Sequence, residues 1–294
     1  TGIVVKQFAG HLWYNDVIIN KLVKILGAVG LIMIVLEAAL DLKLGREKIK
    51  LIRNSLGSAL FIFLISAIGI GFLIVQQLGV SFENAFIYAV SLSIISSAIV
   101  IPSSENLPEE KKEFIVYESS LSDIIGIMVF NYMLMDNVMS ASSAAVFGGK
   151  ILLAVIISAA ATFLLIYILT RAKSHIKFFM LFAVLALIYA LGEQIHLPSL
   201  LIVLVFGLVF NNYPFIMKGP LKKLFYNEDI EGILSFMKSI TAETSFLIRT
   251  FFFIIFGYSI DLNVLQEREV WELGSIIIAI LFFVRFLYLR LILK

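Results

Sequence analysis

Apolar stretches of about 20 residues recur along the chain, and they leave it few possible folds. As an α-helix, about 20 residues rising about 1.5 Å each cover the roughly 30 Å of hydrocarbon in a bilayer. In hydrocarbon every backbone donor and acceptor must be satisfied by the protein itself, so such stretches fold as helices. With 61% hydrophobic and 15% charged residues, against roughly 25% charged in soluble domains, the chain reads as an all-α polytopic membrane protein. The predicted spans are 17–40, 55–78, 84–101, 114–136, 150–170, 178–191, 199–212, 230–260 and 271–293. That is about nine transmembrane helices in a single transmembrane domain over residues 1–294. Basic residues orient them: Lys43, Arg46, Lys48, Lys50 and Arg53 after the first span, Arg171, Lys173 and Lys177 after the fifth, Lys218, Lys222 and Lys223 after the seventh. If the spans alternate, all these groups fall on one side, together with Arg285, Arg290 and Lys294. Positive-inside bias then puts the first residue outside and the last in the cytoplasm. The chain opens on Thr1 and closes in an apolar run at Lys294, so a domain incomplete at both ends is expected.

The span 114–136 carries charge where charge is expensive. Asp123 falls near its middle, and a carboxylate at that depth faces protein or water and marks an ion or proton pathway. Ser119 and Asp123 share a face, while Glu118 and Ser122 share the neighbouring one. One stripe can therefore offer oxygens to a cation while the other engages a partner helix. The span 84–101 is interrupted by Ser91, Ser93, Ser96 and Ser97 and closed by Pro102. Non-helical residues between about 93 and 102, close to Asp123, are predicted. Such backbone survives at membrane depth only when protein covers it or it lines a cavity. Glu37, Arg249 and Arg285 are the other deep charges. Depth favours a Glu118–Arg285 ion pair, with Arg249 as the rival partner, because either charge alone would be costly.

These residues form a pattern. Glu118-Ser119-x-x-Ser122-Asp123 resembles the Glu-Ser-x-x-Asn-Asp signature of sodium/proton exchangers in the monovalent cation/proton antiporter superfamily. Leu36-Glu37-Ala38-Ala39-Leu40 is similar to their Phe-Glu-Gly-Gly-Leu stretch. Phe252 to Ser259 resembles the Phe-rich helix that closes on Gly-x-Ser, and Val284-Arg285 resembles the helix whose arginine pairs with the signature Glu. The resemblance implies an antiporter fold with a broken crossing helix, acting as a homodimer. It implies exchange of Na⁺, K⁺ or Li⁺ for H⁺ by alternating access without a cofactor. Asp123 would carry cation and proton in turn, Ser119 and Glu37 would be auxiliary ligands, and Glu118–Arg285 a structural pair. Ser122, Ser96 and Ser97 complete the candidate ion site. The signature Asn is Ser122 here, and Ser96-Ser97-Ala98 is closer to the Ser-Ser-Thr-Ala of the potassium-efflux branch. A ligand-gated potassium-efflux antiporter and a non-transporting sensor on the same core therefore stay open.

Other chemistry is missing from the sequence. Without cysteine there is no thiol nucleophile, and His11, His175 and His196 form no metal-ligand pair at helical spacing. No G-x-S-x-G elbow or phosphate-cradling loop is present, and the G-x-G-D motif of membrane aspartyl proteases is absent. The short basic loops set topology rather than bind nucleic acid. The Phe-rich runs read as lipid-facing or packing surface. The expectation is a transporter and not an enzyme, in a prokaryotic inner membrane, with monovalent cations, protons and lipid as its partners.

Overall fold

A computed structural model describes residues 2–4, 16–104, 106–135, 140–171, 177–216 and 228–291. Lys173, Lys218, Lys222, Lys223, Lys294, His11 and His175 lie outside the described residues, as do Thr1 and Glu105. The described chain is helical: α1 (Asp16–Asp41), α2 (Ile49–Leu78), α3 (Phe82–Ser93), α4 (Ser97–Ser103), α5 (Glu109–Met133), α6 (Ala141–Arg171), α7 (Lys177–Gln194), α8 (Ser199–Asn211), α9 (Tyr213–Ile216), α10 (Glu228–Ser259) and α11 (Arg268–Leu291). A short 3₁₀ turn, Leu262–Gln266, joins the last two. Each predicted span has a counterpart, and 84–101 corresponds to α3 and α4 together. Five described helices are individually long and apolar enough to cross a membrane. Helix α5 is not one of them, because its first turns hold Glu109, Glu110, Lys111, Lys112 and Glu113 and its interior holds Glu118 and Asp123.

The helices pack as two groups that meet at a seam. In the first, α8 lies against α1, α6 and α7, and α10 runs along α1. Helix α8 is apolar nearly all round and almost wholly buried, as expected of a helix enclosed by others. Gly207 sets its distance from α1: a Cβ there would lie 2.7 Å from the Ala39 Cβ. The far end of α8 holds the turn after α1, with Asn211 and Asn212 donating side-chain hydrogen bonds to the Leu42 carbonyl at 2.9 and 2.7 Å. In the second group, α2 packs on α3, α5 and α11, with α4 against α5. Outward faces are greasy: Phe61 and Phe72 on α2, Phe251 and Phe253 on α10, and Phe282 and Phe283 on α11 are all exposed. In the run 251–253, Phe251 and Phe253 thus face outward while Phe252 stacks on Phe256.

Candidate ion site

The break in the third span lies beside Asp123. Helix α3 ends at Ser93, whose hydroxyl bonds back to the Ala89 carbonyl at 2.7 Å. Ile94 then takes an extended conformation at φ −72°, ψ 131°, and helix resumes at Ser97. Residues 94–96 are thus the non-helical turn, a shorter interruption than the 93–102 window, since α4 runs through Pro102. The break is fastened to α5 by two serines. The Ile95 amide donates to Ser122 Oγ at 3.2 Å. Ser97 gives Asp123 Oδ2 two hydrogen bonds, from its hydroxyl at 2.5 Å and its amide at 3.3 Å. Gly126 makes room for this contact, because a Cβ there would lie 2.3 Å from Ile94 Cγ1. Irregular backbone is therefore covered by protein, as its depth requires.

Asp123 also faces open space. A cavity of about 430 Å³ reaches it between α1, the break, α5 and α10, lined among others by Gly30, Ser91, Ser96, Asp123 and Arg249. Ser96 is thus brought to the space Asp123 faces. Ser119 is not: it is fully buried, and its hydroxyl donates to its own helix, to the Ile115 and Val116 carbonyls at 2.9 and 3.3 Å. A shared face on α5 does not direct the Ser119 oxygen at Asp123, since a helical serine can bond the carbonyl one turn back instead.

The two deep arginines go to different acids. Arg285 Nη2 lies 2.7 Å from Glu118 Oε2, and the other Glu118 oxygen accepts from Ser58 Oγ at 2.5 Å. Arg249 Nη2 lies 3.1 Å from Glu37 Oε2 and 3.2 Å from Ser245 Oγ. Sequence reasoning missed Ser58 and Ser245. Each is a polar residue on the inward face of an apolar helix, so their burial side was the usable signal. Among the described residues no group of three or more His, Asp or Glu gathers as a resident metal site.

A helix interrupted under cover, with its unwound turn set against a deep carboxylate, is the architecture of a secondary transporter that binds ions at half-helix ends. The chain belongs to the sodium/hydrogen exchanger family, whose transmembrane model matches residues 1–294. It is an integral membrane cation/proton antiporter rather than an enzyme; the ions are its substrates and the exchange uses no cofactor. The fold is that of the sodium proton antiporter MjNhaP1 from Methanocaldococcus jannaschii, at TM-score 0.74 and 18% identity, over 98% of this chain and 72% of that one. Comparison with curated proteins gave no match.

Proposed function

We propose that Asp123 is the single carrier, holding a monovalent cation and a proton in turn as the site alternates between the two sides of the membrane. One observation carries this. Glu37 and Glu118 each have an arginine, whereas among the described residues Asp123 receives hydrogen bonds from Ser97 alone. A permanent cationic partner would keep the carboxylate ionised and occupy the place of the transported ion. Ser97 stabilises the charge without competing for that place. A hard cation favours oxygen ligands, and the Ser96 and Ser97 hydroxyls and the unwound 94–96 backbone can supply them with Asp123. Glu37 is the auxiliary acid, held by Arg249, which lines the cavity that Asp123 faces. Ser119 joins the ligand set only by releasing its carbonyl bonds, and Ser122 acts by fixing the break. The positive-inside pattern supports an inner-membrane protein with its first residue outside and its last in the cytoplasm. Homodimeric assembly rests on the family resemblance.

The test is proton flux in liposomes driven by sodium, lithium or potassium gradients. Asp123→Asn should abolish exchange for every ion while the protein still folds and inserts. Wild-type rates in that variant would remove Asp123 from the carrier role. Flux driven by potassium and not by sodium would favour the potassium-efflux reading, to which Ser96-Ser97-Ala98 is close.

A further inference from the structure

Asp123 has a second side. Next to the large cavity, with which it shares Val35, Asp123 and Ile127, a niche of about 20 Å³ lies between α1, α5 and α8, lined mainly by apolar groups such as Ala38, Leu201 and Leu204 and by two polar residues, Ser120 and Asp123. Ser120 is 1% exposed, and its hydroxyl has no hydrogen-bond partner among the described residues. Its neighbour Ser119 bonds back to α5 carbonyls; Ser120 does not. A buried hydroxyl left bare is costly. Three residues further on, Asp123 stands on the same stripe of the helix. Both hydrogen bonds it receives from described residues end on Oδ2, and none reaches Oδ1. A water needs about 10–15 Å³ and at least two polar partners, and the niche offers both.

The geometry points to one bound water in this niche, bridging Ser120 Oγ and the Asp123 carboxylate, with Ser120 as a positioning residue for ion exchange. This rests on Asp123 being the carrier. The water accepts the Ser120 hydroxyl hydrogen and donates one of its own to Asp123. It thereby favours the ionised carboxylate, which takes the cation, over the protonated one. Of the other charges on the packed elements the two deep acids are paired, and on α1 Asp16, Lys21 and Lys24 lie in its first half and Asp41 at its end. Glu37 on α1 is held by Arg249, which lines the larger cavity, and Glu118 by Arg285. Lys50 and Arg53 stand at the start of α2 and Glu83 at the start of α3, while α4 and α8 carry no ionisable side chain.

The experiment uses full-length protein in liposomes, with sodium as the driving ion. Ser120→Ala, close in shape to the original, should raise the apparent KM for sodium about tenfold and move the pH of half-maximal exchange up by about one unit. The rate at saturating sodium and high pH should be unchanged. Ala38→Val, which fills the niche from α1 with Ser120 in place, should produce both shifts. Melting curves report whether each variant is folded; should Ser120→Ala fail to insert, Ala38→Val decides alone. A Ser120→Ala protein within twofold of wild type in KM and unmoved in pH overturns the inference, as does an unshifted Ala38→Val. Asp123→Asn, assayed beside them, separates the two levels: exchange persisting there breaks the carrier reading, whereas loss of exchange there with an unshifted Ser120→Ala breaks only the water bridge.

Discussion

The pairs Glu118–Arg285 and Glu37–Arg249 use the same chemistry in different surroundings. The side chain of Glu118 is 0% exposed, and both its oxygens are occupied, by Arg285 and Ser58. The side chain of Glu37 is 27% exposed, and its arginine lines the cavity that Asp123 faces. If a partner is removed, water can reach the second pair and not the acid of the first. The first pair fastens α5, and with it Asp123, to α11, whose outward face is exposed. The second has a part-exposed acid and an arginine on the cavity wall, so it can exchange partners. Burial of the acid, more than distance between the charges, separates a fastening from an adjustable contact.

The largest effect is therefore expected at Arg285. Arg285→Gln leaves Glu118 as a buried charge with Ser58 its one remaining donor, and should destabilise the protein by about 3–5 kcal/mol. The measurement is a thermal melt in detergent with the yield of folded protein. The charge swap Glu118→Arg with Arg285→Glu should recover part of the loss. Arg285→Gln melting like wild type would erase the distinction between the pairs.

Arg249→Gln should do the reverse, with little change in stability and a clear change in transport. The Glu37 side chain is 27% exposed and can be hydrated when it loses its arginine, so the stability loss should stay below that at Arg285→Gln. The variant removes a positive charge from the cavity wall, where low-dielectric surroundings focus the field. The apparent KM for the driving cation should fall several-fold. An unchanged KM with a large drop in melting temperature would make Glu37–Arg249 a second fastening.

Much of this contrast was legible before any coordinates. Long apolar runs place the helices because hydrocarbon admits little else. Asp123, Glu118 and Arg285 stand out because each is a charge in such a run, and depth alone ranked Arg285 above Arg249 as the partner of Glu118. What periodicity could not supply was the direction of short side chains. Ser119 and Ser120 are adjacent on α5, yet one hydroxyl turns to its own backbone and the other faces the niche beside Asp123. A serine rotamer is decided by its neighbours on other helices. The extent of the break was hidden for a related reason. Pro102 suggested a longer unwound stretch, but α4 runs through it to Ser103.

The smallest effect is expected at a third pair, Lys48–Glu113, which extends the comparison to the surface. Lys48 precedes α2 and Glu113 lies in the first turns of α5, with side chains 25% and 34% exposed. The pair forms a hydrogen-bonded salt bridge between the second span and the helix of the ion site. The hydrogen bond that Lys48 donates to Glu113, only partly offset by burial, holds the ammonium above the usual lysine range. For a raised lysine the sign is fixed. The stability it contributes is fully present below the unfolded value of about 10.4 and is lost as pH rises through the higher folded one. Solvent and salt screen a pair this exposed, so Glu113→Gln should cost no more than about 0.5–1 kcal/mol at neutral pH. The difference from wild type should shrink in high salt and again above about pH 10. Melting curves of the two proteins across salt and pH check it. A loss at Glu113→Gln as large as that at Arg285→Gln, insensitive to salt, would mean that burial of the acid does not rank the three pairs.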